Sequence, residues 1–362
     1  MLSNSRIKAY LLKLLTKKKS KDLDLKNIKT ILFFRYDRIG DMIISTPVFR
    51  ELKLANPNIS ISVLASKSNQ EVLFNNPYID YIYINHKNNF LSDLPTLIKL
   101  RKKMFDVCIE FDHSVIPHAI LRLKIINPKK IISVRKDGRY GVSGDDLDLY
   151  DIYTEKKYQE HFCDIWLKTI EPIGIKPKSN KYDLFITESQ KKQAVDFVNS
   201  YSSKFLIGVN IQGAVKNKKL DFVDLYEICK ELKSHFNDLQ IVILTSPLNH
   251  ENISKEISKM GHDFISISYI TDTILDVAAL IQELDLIITP DTSITHVAST
   301  FNKPIVTIHE KNLASYYLFG PTSSLNRTVF SESKDSLEGF SIQRLVSYCI
   351  EIINKINVKK DF

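Results

Sequence analysis

Three stretches of this 362-residue chain carry side chains whose types and spacing could do chemistry. The first is Ile31–Pro47, ILFFRYDRIGDMIISTP. A β-rich run, Ile31–Phe34, enters the polar turn Arg35-Tyr36-Asp37-Arg38, and Gly40 and Asp41 open an apolar, helix-like segment. Such a turn lies at the carboxyl end of its strand, where the free N–H groups of the helix start face whatever binds. A carboxylate there either caps the helix or takes a proton from an attacking hydroxyl. The second stretch is Pro290-Asp291-Thr292-Ser293-Ile294-Thr295-His296-Val297-Ala298, after a strand expected at Asp285–Thr289. The N–H groups of Ser293, Ile294 and Thr295, with the helix dipole behind them, make a phosphate site. Thr292, Ser293 and Thr295 add hydroxyl donors, and His296 a ring donor. The alternative is a helix capped by Asp291, with His296 packed inside. The third stretch, Asn210-Ile211-Gln212-Gly213-Ala214-Val215-Lys216-Asn217-Lys218-Lys219, also follows an expected strand. Gly213 and Ala214 would let backbone approach a ligand and the lysines would meet a pyrophosphate; the alternative is a charged surface loop.

Other chemistries find little support. A single glycine stands at the first turn where a dinucleotide fingerprint needs GxGxxG, which argues against a nicotinamide or flavin enzyme. The four cysteines, Cys108, Cys163, Cys229 and Cys349, form no CxxC pair, so neither a zinc site nor a disulfide framework is expected, and a reducing cytoplasm fits. The run Gly144-Asp145-Asp146-Leu147-Asp148 has an Asp-x-Asp spacing but reads as a solvated acidic turn rather than a metal site.

The elements that must position these residues alternate along the chain. Strands are expected at Thr30–Arg35, Ile59–Ala65, Ile79–Ile84, Val107–Phe111 and Lys130–Val134, with helices near 42–55, 67–74, 91–103 and 114–125. Residues 135–155 read as a mobile polar loop and 156–172 as a helix containing His161 and Trp166. A second alternation places strands at Phe205–Asn210, Gln240–Leu244, Phe264–Ile267, Asp285–Thr289 and Pro304–Ile308, and helices near 221–235, 249–260, 273–283, 293–301 and 341–356. Repeated βα units imply mostly parallel sheets covered on both faces. The chain is thus expected to be an α/β protein of two Rossmann-like domains facing a central cleft. The segments are a basic amphipathic stretch 1–28, domains 29–175 and 185–340, and a C-terminal helix 341–362.

Composition sets the bounds. Hydrophobic residues make up 44% and charged residues 25%, as in ordinary globular proteins. No apolar run reaches the roughly 18 residues of a membrane span, and no signal peptide is expected at the N-terminus. Residues 1–30 hold nine Lys and Arg against Asp22 and Asp24, so +7 of the net +8 lies there. The basicity therefore belongs to one segment, and no nucleic-acid-binding face is expected. Within it Ile7, Tyr10, Leu11, Leu14 and Leu15 share one helical face among lysines. That face either packs on the body of the protein or lies on an anionic membrane surface.

The stretch RYDRIGDMIISTPVFRELKLANP resembles the N-terminal signature of the family 9 glycosyltransferases, the heptosyltransferases of lipopolysaccharide core synthesis. The Asp291-to-Ala298 stretch resembles that family's Asp-Ser/Thr-Gly-x-x-His-hydrophobic-Ala signature, with Ser293 in place of Gly. Asn210–Leu220 resembles its Asn-Pro-Gly-Ala…Lys-Arg-Trp segment, with Gln212 for Pro and Leu220 for Trp. The resemblance runs from about residue 29 to 355. It implies the two-domain GT-B fold, an acceptor-binding first domain and a second domain holding a nucleotide-diphosphate sugar, ADP-heptose by family precedent. It implies transfer with inversion to a lipid-linked core oligosaccharide, with no metal and no resident cofactor, in the cytoplasm or peripherally on the inner face of its membrane. Asp41 matches the family's general base. Lys218, with Lys216 in reserve, matches the lysine that neutralises the departing nucleotide, and Asp291, Thr292, His296 and Ala298 match the diphosphate site. Asp112 and His113, at another expected strand end, either bind acceptor hydroxyls or cap a helix. Another nucleotide sugar, a nucleotide-sugar epimerase and a non-catalytic nucleotide-sugar-binding scaffold are the alternatives. The segment around Phe319-Gly320-Pro321-Thr322 departs from the family pattern and carries no assigned role.

Overall fold

The computed structural model describes residues 4–17, 22–86, 90–202, 205–213 and 218–360. The chain divides into two units, Met1–Lys181 and Tyr182–Phe362. In chain order the first contains α1 (Asn4–Thr16), β1 (Thr30–Phe34), α2 (Ile39–Ala55), β2 (Ser60–Ser66), β3 (Tyr81–Asn85), α3 (Phe90–Lys102), β4 (Val107–Glu110), α4 (Pro117–Ile126), β5 (Lys130–Val134), β6 (Ile152–Thr154) and α5 (Phe162–Leu167). Its six strands are parallel in the order β3-β2-β1-β4-β5-β6.

The second unit runs α6 (Glu188–Val198), β7 (Phe205–Asn210), α7 (Phe222–His235), β8 (Leu239–Leu244), α8 (His250–Met260), β9 (Ile265–Ile267), α9 (Ile274–Glu283), β10 (Leu286–Pro290), α10 (Ser293–Thr300), β11 (Ile305–His309), α11 (Leu313–Phe319), β12 (Asn326–Phe330) and α12 (Ile342–Lys360). Its order, β12-β11-β10-β7-β8-β9, is the same arrangement, again all parallel. In both sheets the direction of winding reverses once, between β1 and β4 and between β7 and β10. In sheets of this order ligands bind outside the carboxyl ends of the strands at that reversal.

The central strands are nearly continuous apolar runs because helices cover both faces. Ile31 of β1 lies opposite Ile61 of β2 and Val107 of β4, all buried. The outermost strands β3, β6, β9 and β12 are only partly buried, as edge strands are. α2 carries Pro47 inside it. Proline has no N–H to give the carbonyl one turn back; Thr46 Oγ1 donates to Ile43 O instead, at 2.7 Å. The adjacent Thr-Pro pair therefore keeps a buried helix satisfied.

Several expectations need correction. Residues 135–155 are not simply a mobile loop: they contain a short 3-10 helix, Gly144–Asp146, and run into β6, which pairs with β5. The acids of that segment are engaged, Asp145 with Arg135 and Asp146 with Lys13, each at 2.6 Å. Local pattern missed this because the segment gains its order from distant partners. The helix expected over 156–172 is α5 followed by a 3-10 helix, Lys168–Ile173, and the one near 67–74 is a 3-10 turn, Gln70–Leu73. α6, α11 and β12 were not anticipated. Among the described residues no helix is long and apolar enough to cross a membrane.

One buried ion pair ties α3 to α4. Arg122 and Asp93 are each 1% exposed. Arg122 Nε and Nη2 reach Asp93 Oδ2 at 3.0 and 2.5 Å. Asp93 Oδ1 accepts the His86 N–H, and Arg122 Nη1 donates to His118 O. Removing one partner strands the other charge in the core. Asp93→Ala should therefore cost about 3–5 kcal/mol in urea unfolding, with much of it recovered when Arg122→Met is added. Equal stability of the single and double variants would contradict this.

Candidate functional site

In the first unit the chain turns at the end of β1 through Arg35–Arg38 into α2. Arg35 is the organising side chain. It is buried, with Nε donating to Ser45 Oγ at 2.9 Å and Nη1 to Asp37 Oδ2 at 2.7 Å. Its guanidinium lies 3.8 Å from the Trp166 ring centroid and 5.1 Å from that of Phe111. The Arg35 backbone is fixed by Leu64 O and Asn69 Nδ2. Asp41 is the third residue of α2, not its cap; the cap is Arg38, whose N–H donates to Asp41 Oδ2 at 3.3 Å. This is the reciprocal half of a capping box. Ser45 Oγ donates to Asp41 O at 2.7 Å, linking the Arg35 contact to the same turn of helix. Burial pushes the Asp41 carboxyl up; the Arg35 guanidinium opposes it, and the charge of Asp37 adds to it.

β4, on the other side of the reversal, ends at Glu110 and leads to Asp112 and His113. Neither caps a helix, since α4 begins at Pro117 with Ile116 before it. Glu110 and Lys136 form a fully buried pair, and Lys136 Nζ also donates to Asp112 O. Burial, the charges of Glu110 and Asp37, and a hydrogen bond with Glu110 push the Asp112 carboxyl well above the usual range, with Lys136 opposing. His113 packs against Phe162, ring centroids 5.1 Å apart. Burial lowers its imidazole, and the charge of Lys156 does so further. Asp41 and Asp112 thus follow the two strands flanking the reversal, and both feel the charge of Asp37.

In the second unit the loop after β7 folds back so that Leu220 N donates to Ile211 O at 3.1 Å. Gly213 is needed for this closure: a Cβ on it would stand 2.1 Å from Lys218 O. Its bare backbone is thus used by the chain itself, where the sequence suggested a ligand. Ala214, with Lys216, lies outside the described residues. Lys218 Nζ is 2.9 Å from Asp291 Oδ2 and 2.9 Å from Glu310 Oε1. Burial lowers the Lys218 ammonium, but the two carboxylates outweigh it and the net shift is upward. Burial raises Asp291, but His309, Lys218 and His296 together hold it below the ordinary carboxylate value.

α10 starts where the sequence placed it, but the alternative reading of Asp291 as its cap does not hold. Thr292, not Asp291, is its cap, accepting the Ile294 N–H at 3.2 Å. Thr295 N donates to Thr292 O at 3.1 Å, so these two N–H groups are already used within the turn. Thr295 is fully buried and His296 nearly so, its ring edge-on to Tyr182, while Ser293 is partly exposed. Asn210 Nδ2 joins the two loops, donating to Gln212 O, Thr289 Oγ1 and Thr292 Oγ1 at 2.9–3.1 Å.

Sequence reasoning missed Arg35, Glu110, Lys136, His309 and Glu310. The available signal was a charged or ring-nitrogen residue at the mouth of a strand otherwise apolar, as in Glu110 and His309.

The electrostatics of Asp41 have a consequence for stability. A carboxyl that holds its proton more tightly folded than unfolded destabilises the fold above its folded pKa, and this cost disappears as pH falls below it. Asp41→Asn keeps an acceptor for the Arg38 N–H and carries no charge. It should raise the thermal midpoint at neutral pH, with the advantage shrinking as pH falls into the carboxylate range. A gap independent of pH would show that Asp41 is unperturbed.

Comparison with known proteins places this arrangement. Residues 97–338 match the family model for glycosyltransferase family 9 (heptosyltransferase). The chain is 22% identical over 284 residues to the lipopolysaccharide core heptosyltransferase OpsX of Haemophilus influenzae, covering 78% of this chain and 79% of that one. It is similar in fold to the family 9 glycosyl transferase of Veillonella parvula (TM-score 0.74, 18% identity, 90% and 97% coverage). The same holds for the Escherichia coli ADP-heptose lps heptosyltransferase II (TM-score 0.69, 18% identity, 91% and 99% coverage). The fold is of the GT-B type, and the chain belongs to glycosyltransferase family 9, the heptosyltransferase family.

Proposed function

We propose that this glycosyltransferase moves heptose from ADP-heptose onto a lipopolysaccharide or lipooligosaccharide core acceptor, inverting the anomeric centre without a metal ion. The observation that carries the reading is Asp41: a carboxyl in the first turn of α2, at the sheet reversal, raised by burial and restrained by Arg35. A base so tuned suits removal of a hydroxyl proton as the oxygen attacks. The donor is taken from the named donor of the E. coli relative.

In the reaction the acceptor oxygen bonds to the anomeric carbon, and the bond from that carbon to the diphosphate oxygen breaks. The electron pair leaves with ADP and the acceptor proton passes to Asp41. The first unit would hold the acceptor. Asp112, favoured as the neutral acid, can donate to a sugar hydroxyl, and His113, favoured neutral, can donate or accept. The second unit would hold the donor. Its diphosphate competes with Asp291 and Glu310 for Lys218, and the partly exposed Ser293 end of α10 offers a second positive pole. His309 and His296 also act to lower the Asp291 carboxyl, alongside Lys218. Fixed cationic partners at the departing oxygen are the expected source of leaving-group stabilisation. The protein would work in the cytoplasm, peripherally at the membrane that carries its acceptor.

Calorimetric titration with ADP, UDP, GDP and CDP, each in EDTA and in Mg²⁺, should show binding of ADP alone, indifferent to metal. Preference for another nucleotide would move the donor, and no binding at all would remove the phosphate-site assignment. Lys218→Met should weaken ADP binding about tenfold or more, the loss of a charged hydrogen-bond partner. Asp41→Asn should keep ADP affinity and lose at least about a hundredfold in turnover. Wild-type turnover in that variant would sink Asp41 as the base.

A further inference from the structure

Helix α1 sits on the first unit by its back alone. Leu12 and Thr16 are buried at 4% and 0% exposure, and Ala9 packs on the same cluster. The helix rests on α4, where Lys124 Nζ donates to Lys17 O, and Lys13 Nζ is 2.6 Å from Asp146 Oδ1. The stripe that periodicity singled out faces the other way. Tyr10 is 69% exposed, Leu11 49%, Leu14 51% and Leu15 41%. Of the two readings of this stripe, packing on the body therefore does not hold for these four residues. Ile7, the fifth member, has no described side chain. Other large exposed apolar residues, such as Leu91, Tyr158 and Leu248, are distant in sequence from one another, which is ordinary for a surface. Four on one helix face are a patch.

We infer that this face of α1 docks on an anionic phospholipid surface. Charge selects that occupant. Residues 1–21 contain seven Lys and Arg and no acid. A second copy of the helix would bring the same charge to the contact, so self-association is opposed. A bilayer carrying anionic headgroups offers both what the stripe lacks, an apolar layer, and what the lysines seek. Lys17 is exposed beside the stripe, placed to reach headgroups as the leucines enter the acyl boundary and Tyr10 stays at the interface. The buried back and the Lys13–Asp146 and Lys124–Lys17 contacts hold the helix in a set orientation. The inference deepens the peripheral association proposed above, yet its test needs neither donor nor acceptor.

The full chain is sedimented with vesicles of phosphatidylcholine, with and without phosphatidylglycerol. It should bind only the anionic vesicles, less so as salt rises. Lys17→Gln should weaken binding about fivefold. Leu11→Ser with Leu14→Ser should weaken it at least about tenfold, with thermal unfolding and ADP binding unchanged because both residues are exposed. Binding to neither vesicle, equal binding to both, or binding indifferent to the leucine substitutions would overturn the inference. So would a dimer in light scattering that those substitutions dissolve. Vesicle binding by a protein that binds no nucleotide would support this inference while removing the donor reading.

Discussion

All the carboxyl ends of a parallel sheet lie along one edge, and this constraint governs both units. Central strands buried on two faces carry few charged side chains along their length, so charged groups collect where the strands end. Where the winding order reverses, neighbouring connections leave in opposite directions and open a crevice. Arg35 and Asp41 follow β1 while Glu110 and Asp112 stand at the end of β4. Asn210 and Lys218 follow β7 in the same relation to Thr289 and Asp291 at β10. Two sequences with no shared motif thus put their chemistry in corresponding places.

Gathering charge at a low-dielectric edge demands compensation, and Arg35, Lys136 and Lys218 are each paired. Arg35 meets Asp37 and two aromatic faces, Lys136 meets Glu110, and Lys218 meets Asp291 and Glu310. The outcome differs between the units. In the first, burial and the neighbouring acids outweigh Lys136 at Asp112, and burial prevails at Asp41, so both hold protons more tightly than free carboxyls. In the second, Lys218 and two histidines surround Asp291 and keep it ionised. Carboxyl groups in the two units are thus pushed in opposite directions by their surroundings. Lys218, shared between two acids, is held in place by both.

The same physics explains what α1 is not. A helix that rests on the body through Leu12 and Thr16 leaves its more apolar face to another medium. Local periodicity cannot distinguish these faces, because both repeat at the helical period. The adjoining acidic turn, Asp145 and Asp146, is absorbed in ion pairs for a related reason: Lys13 lies far from it in the chain and beside it in the fold.

Most of the fold was legible in the sequence. Long apolar runs alternating with helical periods marked nearly every central strand, since burial of both faces writes itself into consecutive residues. The turns holding Asp41, Lys218 and Asp291 were legible through their motifs. Edge strand β12 and helices α6 and α11 were not, because partial exposure leaves a diluted pattern. The alternative cap readings at Asp41 and Asp291 do not hold: the caps are Arg38, three residues before the first, and Thr292, one residue after the second. By itself the sequence determined the alternation of central strands and helices, the uneven charge and the residue types at each strand end. Tertiary structure alone decided that Gly213 makes room for Lys218, that Glu310 shares Lys218 with Asp291, and that Tyr10, Leu11, Leu14 and Leu15 face outward. Periodicity reports how a residue sits relative to its near neighbours. Charge partners and free faces depend on segments tens of residues away, which only the folded chain brings together.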